Sequence, residues 1–70
     1  MEQNLSLYYV FHTVAKKGSI SHAAKELYIS QPAISKSIQK LEVNLNTTLF
    51  KRSSRGVTLT ADGEILFQHT

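Results

Sequence analysis

The sequence contains no cysteine, a single proline and three glycines, and it has no long run of apolar residues. The absence of cysteine excludes disulfide bonds and thiolate metal sites. Without a long apolar run there is no candidate membrane span. The first residues, MEQNLSLYY, lack the cationic segment of a secretory signal. Because 41% of the residues are hydrophobic, we expect a folded chain rather than a disordered one. We expect it to be cytoplasmic.

Acidic residues are also few, and the charges are unevenly distributed. The 70 residues, enough for one small domain, carry a net charge of +3. All eight basic residues lie between Lys16 and Arg55. That stretch has only two acids, Glu26 and Glu42, so eight positive charges against two negative ones give it +6. This excess predicts a polyanionic partner, nucleic acid ahead of a membrane. The alternative is a solvated lysine face without a partner.

Two helices are predicted in the first part of the chain. Apolar residues recur from Leu5 to Val14 at every third position, and Gly18 supplies a stop, so a helix is predicted over 5–17. A second helix is predicted over 22–28, with Ser21 as its N-cap.

The third predicted helix has the clearest apolar period. It is expected to start near Pro32, because proline fits a first helical turn, with Ser30 or Gln31 as its cap. Its apolar positions fall within an arc of about 60°, as in a helix with one buried face. These positions are Ile34, Ile38, Leu41 and Leu45. The predicted core of the whole domain consists of Ile34, Ile38, Leu41, Phe11, Val14, Leu27 and Leu49.

The period changes after this helix. Residues 49–52 and 57–59 are predicted to form two short strands around the polar loop 53–56. Thr60 is expected to cap a last helix that begins at Ala61. Two helices joined by a tight turn and followed by a basic hairpin predict a mostly α winged helix-turn-helix fold. It has a three-helix core, a short two-stranded wing and a further helix.

The exposed face of the third helix begins with residues that can read DNA bases. Glutamine can pair with adenine, lysine with guanine and serine with either kind of base edge, and a proline ring can touch a thymine methyl group. A helix of roughly 20 Å is long enough to lie in a major groove. Taken alone, such residues also fit an ordinary solvated face. The predicted base-reading residues are Gln31, Pro32, Ser35 and Lys36.

A wider set of residues is predicted to contact phosphate, which fixes register without reading sequence. The alternative for serines at helix starts is that they act as N-caps alone. A serine can also cap a helix and contact a phosphate at the same time. Arg55, at the tip of the wing, is predicted to enter a minor groove, whose potential is most negative where it is narrow. A hairpin tip that only aids solubility is the alternative. The predicted phosphate contacts are Ser19, Ser21, Ser30, Ser37, Lys40, Lys51 and Arg52.

The sequence shows no clear pattern of catalytic residues. His12, His22 and His69 lack the i, i+3 or i, i+4 spacing of a helical metal site. The glycines stand apart, and the serines form no recognisable triad. A chain of this length can hardly enclose a substrate pocket. We therefore predict no enzyme activity, no catalytic residues and no bound metal.

Two stretches resemble the N-terminal DNA-binding domain of LysR-type transcriptional regulators. The first, over residues 11–42, reads FHTVAKKGSISHAAKELYISQPAISKSIQKLE, and the second, over residues 49–60, reads LFKRSSRGVTLT. The resemblance implies that 1–60 is a winged helix-turn-helix domain that binds a dyad operator in double-stranded DNA as a homodimer. It implies that 61–70 begin a truncated linker helix for dimerisation, so that the fragment could also be monomeric.

The resemblance assigns the same roles to individual residues. It places the four predicted base readers in the major groove, Arg52 on phosphate and Arg55 towards the minor groove. Members of the family continue into an effector-binding domain. A small-molecule effector is therefore expected to bind outside this fragment, and no cofactor is expected within it.

Three positions depart from the family pattern. Lys36 stands where arginine is commoner, and because lysine lacks the guanidinium fork, its readout of guanine should differ. Asn46 replaces a glycine but still suits a left-handed helix end. Asp62 replaces an alanine at the start of the last helix.

The alternative from another functional class is a winged-helix protein-interaction module without specific DNA binding.

Overall fold

The computed structural model describes residues 2–54 and 56–69 as four helices and a two-stranded antiparallel sheet. This is the winged helix-turn-helix expected from the sequence. None of the helices within those ranges is long and apolar enough to cross a bilayer. The elements are α1 (Glu2–Lys17), α2 (Ile20–Leu27), α3 (Gln31–Leu45), β1 (Phe50–Ser53), β2 (Gly56–Leu59) and α4 (Ala61–Gln68).

The end of α1 holds the wing as well as closing the helix. Gly18 adopts a left-handed φ of 68°, and its N–H donates to the carbonyl of Val14 over 2.8 Å. Its own carbonyl accepts a hydrogen bond from the N–H of Val57 in β2 over 3.3 Å. A Cβ on Gly56 would lie 2.6 Å from the same carbonyl oxygen, so a side chain there would push the wing away from α1.

The N-cap of α2 is Ser19, so the prediction of Ser21 for this role is wrong. The Ser19 hydroxyl accepts a hydrogen bond from the N–H of His22, and its backbone is extended. The helix therefore starts at Ile20, whose side chain packs against the core. Ala23 and Ala24 are buried, and their small size lets α2 approach its neighbours closely.

The α2 helix ends at Leu27, and Tyr28 caps it with a left-handed φ of 59°. The N–H of Tyr28 donates to the carbonyl of Ala24. Ile29 follows with a further hydrogen bond to the same carbonyl over 3.2 Å. A tyrosine in this conformation is uncommon, since glycine and asparagine adopt it with less strain.

The α3 helix begins as predicted. Ser30 is its N-cap and accepts a hydrogen bond from the N–H of Ala33, while Pro32 occupies the first turn. The prediction of Leu45 as part of the buried stripe is wrong, because the helix ends there and its side chain remains 39% exposed. Asn46 then adopts the left-handed conformation expected of it, with φ 55°. The other three stripe residues, Ile34, Ile38 and Leu41, are buried.

The hydrophobic core lies between the three helices and the base of the wing. Phe11 on α1 is fully buried, and its ring centroid lies 5.2 Å from that of Phe50 in β1. Val14 and Leu49 are also buried, as predicted, whereas Leu27 is only partly buried against the core. The strands start one residue away from the predicted positions, in a register that pairs Phe50 with Leu59 and Ser53 with Gly56.

Thr60 caps α4 and ties it to the loop that precedes the wing. Its hydroxyl accepts a hydrogen bond from the N–H of Gly63 over 3.0 Å and donates to the carbonyl of Thr48 over 2.6 Å. Gly63 lies so close to this loop that a Cβ would come within 2.2 Å of the Leu49 carbonyl oxygen. Thr47 adds a hydrogen bond to the carboxylate of Asp62. The start of α4 is therefore fixed to the domain.

Candidate nucleic-acid interface

The predicted base-reading residues lie together at the start of α3. Ser35 and Lys36 follow Gln31 and Pro32 by one helical turn, and side chains at this spacing share a face. Gln31, Pro32 and Lys36 are exposed, and Ser35 is half-buried. The helix has 15 residues, which corresponds to about 22 Å. Because the apolar stripe faces the core, this face points away from the domain and can enter a groove.

The wing touches this face through Arg52. Arg52, in β1, donates a hydrogen bond from Nη2 to the hydroxyl of Ser35 over 3.4 Å. The contact is long and exposed, so it adds little stability and leaves the guanidinium able to turn to another acceptor. It brings a predicted phosphate contact beside a predicted base reader, which the sequence places 17 residues apart.

Glu42 has a structural role in positioning the wing that the apolar period does not reveal. It lies on α3, and its carboxylate oxygen accepts hydrogen bonds from the N–H of Leu49 over 2.8 Å and from that of Phe50 over 3.3 Å. These two N–H groups mark the start of β1. Glu42 therefore fixes the start of the wing relative to α3. In the sequence it stands out only as one of the two acids of the basic stretch.

Both acids of the basic stretch are already engaged within the domain. The Glu42 carboxylate is bound by backbone N–H groups, and Glu26 pairs with Lys17 at 3.3 Å. Both carboxylates keep their negative charge, so the stretch retains eight positive charges against two negative ones. The resulting charge of +6 in this stretch suits a polyanionic partner.

The predicted phosphate contacts lie on α2, on α3 and in β1, and two of them are helix N-caps. Ser19 and Ser30 accept hydrogen bonds from helix N–H groups. A serine hydroxyl used as an acceptor still has its proton to donate to a phosphate. Ser21 lies in the first turn of α2 and is exposed, although it is not the cap. Of the others, Lys40, Lys51 and Arg52 are exposed, and Ser37 is half-buried.

The wing tip and the histidines complete the predicted sites. Arg55 lies outside the described residues, so its predicted role in the minor groove has no structural account here. The His12 ring lies 4.9 Å from that of Phe67, which joins α1 to α4. Among residues 2–54 and 56–69, no three His, Cys, Asp or Glu side chains come together in a way that could hold a metal ion.

Comparisons with known proteins find close relatives. Residues 5–64 match the model of the family described as "Bacterial regulatory helix-turn-helix protein, lysR family". The HTH-type transcriptional regulator GltR of Bacillus subtilis (strain 168) is 48% identical over 67 residues, which are 96% of this chain and 23% of GltR. The chain thus spans less than a quarter of the length of this relative.

Two solved structures of DNA complexes have a similar fold. The DNA-binding domain of CbnR bound to DNA superposes with a TM-score of 0.89 at 39% sequence identity, over 99% of this chain and 77% of that one. The DNA-binding domain of BenM bound to catB site 1 DNA gives a TM-score of 0.89 at 37% identity, over 93% of this chain and 72% of that one.

Proposed function

The chain belongs to the lysR family of bacterial regulatory helix-turn-helix proteins, and from that premise we propose that it is the sequence-specific DNA-binding domain of a transcriptional regulator. The observation that carries the proposal is the exposed face at the start of α3. It presents hydrogen-bonding side chains on one side of a helix whose other side is buried in the core. The similarity to two domains solved in complex with DNA supports it.

In this proposal α3 lies in the major groove of double-stranded DNA. Gln31 and Lys36 carry the strongest base-reading groups, because an amide can bind adenine at two points and an ammonium can donate to guanine. Ser35 contacts a base edge or a nearby phosphate, and Pro32 touches an apolar base edge. The N-terminal turn reads the DNA, as in other helix-turn-helix proteins.

The remaining predicted contacts hold the domain in register on the backbone. Arg52 turns from Ser35 to a phosphate when DNA arrives, because a charged acceptor binds a guanidinium more strongly than a hydroxyl does. Arg55 is proposed to enter the minor groove from the tip of the wing. The other proposed phosphate contacts are Ser19, Ser21, Ser30, Ser37, Lys40 and Lys51.

We propose two functional units, residues 1–60 for DNA binding and residues 61–70 for dimerisation. The α4 helix leaves Ile65 58% exposed although the start of the helix is fixed to the domain. An apolar side chain on a fixed helix suits packing against the same helix of a second copy. A homodimer formed in this way presents two recognition helices to a dyad operator, and a cytoplasmic location gives the regulator access to bacterial DNA.

Salt dependence tests DNA binding against the alternative of a protein-interaction module. We expect the affinity for duplex DNA to fall steeply as salt rises from about 50 to 200 mM, because binding to phosphates releases counterions. A matched control uses heparin, a polyanion without base edges, as competitor. Absence of DNA binding at low salt would contradict the proposal. So would a protein that heparin displaces equally readily from duplexes of every sequence.

A further inference from the structure

We propose that Asp62 is a positioning residue, whose hydrogen bond to Thr47 determines which separation between two half-sites a dimer accepts. The proposal rests on the proposed function, because it requires two copies paired through α4 on one DNA duplex. Asp62 stands where the family pattern has alanine, whose side chain accepts no hydrogen bond. The contact is therefore a feature of this sequence and does not follow from the common pattern of the family.

The main chain at the start of α4 is attached to the loop 46–49, which precedes the wing. The Thr60 hydroxyl donates to the carbonyl of Thr48 over 2.6 Å, and the Thr60 N–H donates to the carbonyl of Leu49 over 3.0 Å. Gly63 packs against the same Leu49 carbonyl, since a Cβ would lie 2.2 Å from its oxygen. These contacts follow one side of the first turn, and the helix can still pivot about the line that joins them.

Asp62 attaches α4 to the loop from another direction. Its carboxylate accepts a hydrogen bond from the hydroxyl of Thr47. Neighbouring residues of a helix point about 100° apart, so Asp62 reaches the loop from a different side of α4 than Gly63 does. A helix that is held from two sides loses the freedom to pivot, and this hydrogen bond therefore fixes the direction of α4 relative to the loop.

The loop is in turn attached to the recognition helix through Glu42. The N–H of Thr47 donates to the main-chain carbonyl of Glu42 over 3.1 Å, and the N–H of Leu49 donates to its carboxylate over 2.8 Å. Thr47 is thus bonded to α3 by its N–H and to α4 by its hydroxyl. The direction of α4 is consequently fixed relative to α3 as well.

This direction governs how a dimer places its two recognition helices. DNA makes one turn in about 10 base pairs, so moving a half-site by one base pair turns it by about 35° and shifts it by about 3.4 Å. In a symmetric pair each copy takes up half of that turn, about 17°. Over the 8 residues of α4, about 12 Å, a pivot of this size moves the far end by about 3.5 Å. Without the hydrogen bond this movement becomes available, and the dimer accepts neighbouring separations.

The test is selection from a random duplex library by the unchanged chain, by Asp62→Ala and by Thr47→Val. Sequencing of the retained DNA gives the distribution of half-site separations. For the unchanged chain we expect one separation to dominate, with its neighbours below about one tenth of it, because each copy would have to break a hydrogen bond to a charged acceptor. In both variants the neighbouring separations should rise to about one third or more. The half-site sequence should stay the same, because α3 is unchanged.

Two further variants separate the hydrogen bond from the charge and from folding. Asp62→Asn keeps an oxygen that can accept the hydrogen bond from Thr47, so it should restore the single separation although the charge is lost. Glu64→Ala is the matched control, because Glu64 is an exposed acid in the same first turn. It should also keep the single separation. Thr47→Val removes the hydroxyl with little change in shape, and it therefore tests the contact even if Asp62→Ala fails to fold.

The contradicting outcomes are distinct. An unchanged single separation with Asp62→Ala and Thr47→Val would overturn the proposal and leave the proposed dimer intact. Equal broadening by Glu64→Ala would overturn it too, since the charge at the helix start would then be the cause. Recovery of single half-sites alone by both test variants would show that the bond is needed for pairing itself, which also overturns it. Single half-sites recovered by the unchanged chain would contradict the proposed dimer together with this proposal, and retention without enrichment would contradict the proposed function as a whole.

Discussion

At the scale of single residues, the domain separates side chains that read DNA from side chains that hold the reader in place. Gln31 is exposed on α3 and has no structural task in the described part of the chain. Glu42, eleven residues further along the chain, binds two N–H groups at the start of the wing. Substitution of the first should affect binding without affecting folding, and substitution of the second should affect folding first.

We predict that Gln31→Ala weakens binding to a selected operator by about 1–3 kcal/mol and relaxes the base preference at one position. The amide is lost while the helix is kept, since alanine favours helix. Titration against the operator and against an unrelated duplex gives the measurement. An unchanged ratio of the two affinities would remove Gln31 from the base-reading set.

We predict that Glu42→Ala lowers the free energy of unfolding by about 1–3 kcal/mol, because the N–H groups of Leu49 and Phe50 lose their acceptor. Urea denaturation measures this loss. Glu42→Gln is the control, since its amide oxygen can still accept one of these hydrogen bonds. Its free energy of unfolding should lie between that of Glu42→Ala and that of the unchanged chain. Equal stability of all three proteins would exclude the proposed link between α3 and the wing.

At the scale of elements, close backbone approach decides how the helices and the wing are joined. Gly63 places the start of α4 against the Leu49 carbonyl, and Gly18 places the end of α1 against the wing. The two glycines differ in what a methyl group would meet. A Cβ on Gly63 collides with backbone, whereas one on Gly18 has no atom within 4 Å but requires a strained φ of 68°.

We predict that Gly63→Ala costs about 2 kcal/mol or more, because the contact with the Leu49 carbonyl must open. Gly18→Ala introduces backbone strain without a clash, so it should lower the free energy of unfolding by about 1 kcal/mol. Thermal unfolding of both variants gives the comparison. A Gly63→Ala protein as stable as the unchanged chain would show that α4 is not packed against this loop.

We predict that Arg52→Ala weakens binding evenly across DNA sequences and lowers the salt slope by about 1, because one phosphate contact is lost. Arg52→Lys keeps the charge and should keep most of the slope. Titrations at several salt concentrations check both variants. A sequence-dependent loss would mean that the wing arginine reads bases instead of gripping the backbone.

The sequence predicts the elements better than it predicts their junctions. The apolar period locates α3 because Ile34, Ile38 and Leu41 repeat along one face, and this face is indeed buried. It does not distinguish Ser19 from Ser21 as the cap of α2, since both are serines two residues apart and the backbone conformation of Ser19 decides. The role of Glu42 is equally hidden, because it acts through a contact between a helix and a strand.

At the scale of the whole molecule, the size of the domain favours a second copy on the DNA. The described domain measures 28 × 25 × 19 Å. Symmetric helix-turn-helix dimers bind half-sites about one helical turn, or a multiple of it, apart, which is roughly 34 Å. One domain can therefore cover one half-site, and the proposed pairing of α4 helices would supply the other.

Selection from a random duplex library tests the central claim most directly. The chain is mixed with the library at low and at higher salt, and the retained DNA is amplified and sequenced. We predict enrichment at both salt concentrations of a sequence with dyad symmetry, its half-sites separated by about 10 base pairs or a multiple of this. Enrichment of a single half-site would support base reading but contradict the dimer. Retention without enrichment, lost at higher salt, would contradict sequence-specific binding itself.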